Sequence, residues 1–93
     1  MPKYCRDKVY GHYLYFTTHC IIEAMHAHAS DRTQSEDGSA KLFVRADGST
    51  VVKRWGKVRT KEMAGIRAYI KQNYLEMYRL WSKSSSKGFY IGK

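Results

Sequence analysis

Ninety-three residues suit a single domain, and 43% hydrophobic residues with eight Tyr, three Phe and two Trp supply one modest core, which excludes global disorder. Two cysteines are too few for the disulfide framework of a small secreted domain. The polar N-terminal stretch, with no apolar run near the roughly 20 residues of a membrane span, predicts a cytoplasmic protein without a membrane partner. The net charge of +9 is one-sided: residues 1–50 carry six basic and six acidic groups, residues 51–93 eleven and two, and such a field favours a polyanionic partner.

In chain order, the aromatic-rich Tyr10–Thr17 (YGHYLYFT) predicts a strand. His19–Met25 is ambiguous between a short helical turn and an extended segment. Met25–Ala29 alternates strictly, placing Met25, Ala27 and Ala29 on one face of a strand and His26 and His28 on the other. Ser30–Ser39 is polar and predicts a loop. Lys41–Arg45 and Ser49–Trp55 predict a hairpin around Asp47-Gly48, a pair that accepts the positive φ of tight turns. From Thr60 the period changes to 3.6: Met63, Ile66, Ile70, Tyr74, Met77 and Trp81 form one helical stripe, with Thr60 as the expected N-cap, Glu62 in the first turn and Gly65 a weak point that admits a close neighbour. The tail from Ser84, with Gly88 and Gly92 around Phe89, Tyr90 and Ile91, reads as a short edge strand or a flexible end, and residues 84–93 are expected to be flexible. The predicted architecture is one α+β domain over residues 1–93, a small antiparallel sheet of three to four strands packed against one long C-terminal helix.

Two constellations carry chemistry. His26 and His28, two apart on a strand, point the same way about 7 Å apart. They are the candidate catalytic pair, because two imidazoles supply a general acid and a general base near neutrality. A metal would need further ligands from His12, His19, Cys20 and Glu23, and none stands at a recognised metal spacing; no cofactor or metal is expected, and a small metal-binding protein built on His26 and His28 is a further alternative. Ordinary hydrogen-bonded, half-exposed strand histidines are the plainer alternative. The second constellation is the basic set Lys53, Arg54, Lys57, Arg59, Lys61, Arg67 and Lys71, with Trp55 and Tyr69 among them. Lys and Arg contact phosphates regardless of sequence and Trp55 can stack on a base, so the expected partner is nucleic acid, RNA before DNA; a solvated face, or a surface for an acidic partner protein, is the alternative. There is no Gly-rich phosphate loop and no G-x-S-x-G.

Over residues 13–83 the chain resembles bacterial domain-of-unknown-function family 4160, on Tyr15-Phe16, Glu23, Met25-His26-Ala27-His28, Gly38–Phe43 (GSAKLF), the Lys61-Glu62 helix start, and then Ile66, Ile70, Asn73 and Trp81. The polar loop Asp31–Ser39, the basic run Lys53–Lys61 and the tail after Ser84 depart from that pattern. The resemblance implies a small bacterial protein, a partner protein from a second small family, number 2442, in a two-gene arrangement like a toxin–antitoxin pair, and a ribonuclease-like toxin role.

Overall fold

The computed structural model describes residues 3–17, 20–31 and 38–92. Four strands, β1 (Tyr13–Tyr15), β2 (His26–Ser30), β3 (Ala40–Val44) and β4 (Thr50–Arg54), precede one helix, α1 (Thr60–Ser82). The strands pair in chain order, all antiparallel, so the sheet is a simple meander and the α+β arrangement is the expected one. The ambiguous stretch before β2 contains a single 3₁₀ turn at Cys20–Ile22. The central part of the polar loop lies outside the described residues, as do His19 and the side chain of Cys20.

One sheet face belongs to the helix. Register sets Ala27 opposite Leu42 and Leu42 opposite Val52, and these residues, with Leu14, Ala29 and Val44, share a core with Met63, Ile66, Ile70, Met77 and Trp81. Five buried helix side chains at about 1.5–3 kcal/mol each contribute on the order of 10 kcal/mol of gross apolar burial, enough to hold the helix on the sheet. Small Ala27, Ala29 and Ala40 line the sheet side of this core, and on the helix Gly65 admits the Tyr10 ring, which stands in the space a Cβ would occupy.

The helix start differs from the expectation by one residue. Thr60 is the first helical residue and Arg59 the extended N-cap, because Glu62 at the third helical position accepts the Arg59 backbone N–H at 3.0 Å and so satisfies a donor that the helix leaves open. The hairpin turn is as expected, with Gly48 N–H donating to the Arg45 carbonyl at 2.9 Å. In β4 the register shifts: Leu42 faces Val52 but Lys41 faces Arg54, so Lys53 is the extra residue of a bulge. That bulge turns Arg54 onto the face carrying Lys41 and away from the core.

The tail, expected to be flexible, returns to the sheet. Met25 N–H donates to the Gly88 carbonyl at 2.9 Å and Tyr90 N–H to the Val44 carbonyl at 2.8 Å, while the Tyr90 ring stacks on Phe43 with centroids 4.2 Å apart. It is not a strand, since only isolated backbone bonds tie it down.

Candidate nucleic-acid interface and cleft

The alternation in β2 does put His26 and His28 on one side, with ring centroids 5.2 Å apart, but that side is sealed. The two residues are 0% and 1% exposed. His26 lies within aromatic contact distance of Phe43 and Trp81, its Nδ1–H donates to the Ala24 carbonyl at 2.9 Å, and the Tyr4 hydroxyl donates to its backbone carbonyl at 2.7 Å. His28 stacks on Tyr15, and its Nδ1 meets the Ser39 hydroxyl at 3.0 Å. Neither ring reaches solvent, so the reactive face expected of the pair is not at the surface, and the half-exposed alternative does not describe them either. Glu23 is ion-paired to Lys41 at 2.9 Å, which is the main reason its carboxyl lies below the ordinary range. Among the described residues no three His, Cys, Asp or Glu side chains are grouped to hold a metal ion.

The basic set divides in two. Arg54 donates to the Ser39 carbonyl at 2.8 Å; Arg67 donates to the Thr50 hydroxyl at 2.9 Å and to its carbonyl at 3.2 Å; Lys71 donates to the Asp47 carbonyl at 2.6 Å. These three cations tie the hairpin to its surroundings. Lys53, Lys57, Arg59 and Lys61 are exposed, and among the described residues none has a carboxylate within ion-pair distance. Trp55 stands between them, 48% exposed. The four cations occupy the bulge of β4, the turn after it and the first residues of α1, a stretch too short and too extended to bury them.

Beside this run is a cleft of about 350 Å³, lined by Gly11, His12, Asp31, Lys57, Arg59 and Glu62 among others. Two of its lining residues, His12 and Glu62, are hydrogen-bonded to each other. His12, 8% exposed, donates from Nε2 to Glu62 Oε1 at 3.1 Å, and its Nδ1 is buried without a hydrogen-bond partner among the described residues. The Glu62 carboxyl is held below the ordinary glutamate range, first by the Arg59 backbone N–H and then by His12. Sequence reasoning touched both residues for other reasons, His12 as a spare metal ligand and Glu62 as a first-turn acid. Their pairing across 50 positions has no local signal; the nearest hint is an acid at the third helical position, where one oxygen is committed to the cap and the group is held in place.

No family model, no curated protein and no solved structure matches the chain.

Proposed function

We propose that the protein binds RNA through the exposed run Lys53, Trp55, Lys57, Arg59 and Lys61. One observation supports the reading above others: Lys53, Lys57, Arg59 and Lys61, with no carboxylate within ion-pair distance among the described residues, sit around a half-exposed tryptophan on one short segment, whereas Arg54, Arg67 and Lys71 each also donate to a backbone carbonyl. Cations of this kind contact phosphates, and an exposed indole offers a stacking platform to an unpaired base. The likeness to family 4160, with its two-gene arrangement, is compatible with an RNA-binding member and is carried here as part of the same proposal.

The test is fluorescence anisotropy of a labelled single-stranded RNA titrated from low to roughly twice physiological salt. Four phosphate contacts predict a slope of log affinity on log salt of about −3 for a single strand. Replacing Lys57 and Arg59 by alanine reduces that slope by about half. Trp55→Ala leaves the slope and costs about 1–3 kcal/mol of affinity. No binding near physiological salt overturns the proposal and turns the same surface into a docking site for an acidic protein.

A further inference from the structure

We infer that the cleft beside α1 seats one ribonucleotide, with its phosphate on Lys57 and Arg59 and its 2′-hydroxyl on the carboxylates of Asp31 and Glu62. This rests on the RNA reading above and sharpens it: the partner is recognised as RNA rather than as any polyanion. Three observations carry it.

The first is size. About 350 Å³ lies at the small end of ligand sites, room for one nucleotide and not for a longer segment of chain. The second is the mixture of signs in a single concavity. Lys57 and Arg59 suit a phosphate, but a site for phosphate alone is weakened by two carboxylates on the same wall. A sugar resolves the conflict, because its hydroxyls are donors and ionised carboxylates are pure acceptors. The third is what the carboxylates have left to offer. Glu62 Oε1 is taken by His12 and by the Arg59 N–H, whereas Oε2 makes no hydrogen bond among the described residues. Oε2 lies 4.0 Å from where a Cβ on Gly11 would stand, an ordinary contact distance, so it is beside the backbone at the rim that Gly11 lines. Asp31 is exposed and, among the described residues, receives only a long bond, 3.4 Å, from the Ser30 hydroxyl. His12 in this arrangement is a positioning residue, fixing the Glu62 carboxylate. The 2′-hydroxyl is the group by which a protein tells RNA from DNA.

Two measurements decide it. In ¹H–¹⁵N spectra of the whole protein, adenosine 5′-monophosphate is expected to move the amides of Gly11 and Gly38, which line the cleft, and its 2′-deoxy counterpart to do so several-fold more weakly. In anisotropy titrations with RNA and DNA of one sequence, the native protein prefers RNA about five-fold, the scale of one net hydrogen bond. Asp31→Asn, at an exposed position that the fold does not rely on, brings the ratio close to one. Equal affinity for RNA and DNA with the cleft amides unmoved overturns the inference and leaves the basic-surface reading standing. Cleft shifts with adenosine monophosphate, weaker for the deoxy form, but no binding of either polymer, uphold the cleft as a nucleotide site and overturn the RNA reading. No response to any of the four probes overturns both.

Discussion

Gly56 turns with φ +57° at the corner between β4 and α1, and a Cβ on it would stand 2.5 Å from the Ala40 nitrogen and 2.6 Å from the Ser39 carbonyl carbon. Those are backbone atoms at the start of β3 and cannot swing aside. Gly56→Ala therefore combines the left-handed cost of about 1–2 kcal/mol with displacement of a strand end, and we expect a loss of about 3 kcal/mol in urea denaturation. The same corner carries Trp55 and Lys57, so under the proposed RNA reading the affinity of the folded fraction is expected to fall as well; unchanged stability would show that the corner is slack. Gly65→Ala is a useful contrast. The helix gains about 1 kcal/mol of propensity, but the new methyl meets the ring of Tyr10, an exposed side chain that can move. The stabilisation appears in full only when Tyr10→Ala accompanies it, a coupling that a double-mutant cycle reads directly. At this scale the sequence was legible where chemistry is local. The alternation of Met25–Ala29 assigned each side chain to its face correctly, and Gly65 was marked as a place of close approach. It was not legible that the histidine face is covered, because the covering groups, Tyr4 and Trp81, come from opposite ends of the chain.

Among the elements, α1 was readable almost to the residue, since five of the six stripe positions are buried and the sixth, Tyr74, is half-buried. Its periodicity runs over 23 residues, long enough for the apolar spacing to outweigh local noise. The start was misplaced by one position because Thr60 is an ordinary capping residue in sequence, while the cap is decided by where Glu62 can reach. That carboxylate also gives α1 a pH dependence. Its folded pKa is depressed, so the stability it contributes is complete above the ordinary glutamate range and is lost as pH falls through the folded value. Glu62→Gln should lower the melting temperature at neutral pH, and the gap between variant and native protein should close as the solution is acidified. A gap that stays constant to low pH would show that the loss does not come from the ionised carboxylate, and no gap at any pH would show that the amide replaces both the cap and the contact with His12. The bulge at Lys53 had no counterpart in the pattern: Thr50–Arg54 reads as five regular strand residues, and only the register against β3 reveals that one is extra. That bulge separates Arg54, committed to Ser39, from the exposed cations on either side, which is why the basic set looked uniform in sequence and is not so in the fold.

A four-stranded meander has two faces, and α1 lies on one of them, reaching the other only through Trp81 beside His26. The other carries Tyr15, His26, His28 and Phe43, all buried, and the ends of the chain help close it. At one end Lys3 bridges Tyr15 and Tyr4 N–H donates to the Leu14 carbonyl at 2.8 Å; at the other Tyr90 lies on Phe43. The tail also serves the helix, where Phe89 stacks on Tyr78 with centroids 4.3 Å apart and the Lys87 carbonyl accepts the Trp81 indole N–H at 2.8 Å. None of this has a period, because Gly88-Phe89-Tyr90-Ile91-Gly92 is too short to show one, and so composition alone suggested a loose end. Ending the chain after Ser86 removes two half-buried aromatic rings, the indole bond and two backbone bonds to the sheet. Half the burial value of two rings, together with about 1 kcal/mol for the indole bond, gives a loss of about 3–4 kcal/mol. A domain of this length holds roughly 5–14 kcal/mol in total, so the shortened chain should still fold at 25 °C with a much smaller margin. At about 4–8 °C per kcal/mol its melting temperature should fall by at least about 12 °C. Trp81, now without its carbonyl partner and partly uncovered, should emit at longer wavelength in the folded truncated protein. A melting temperature within a few degrees of the native value would mean that the tail rests on the sheet without holding it, and that the histidine face stays closed without the tail.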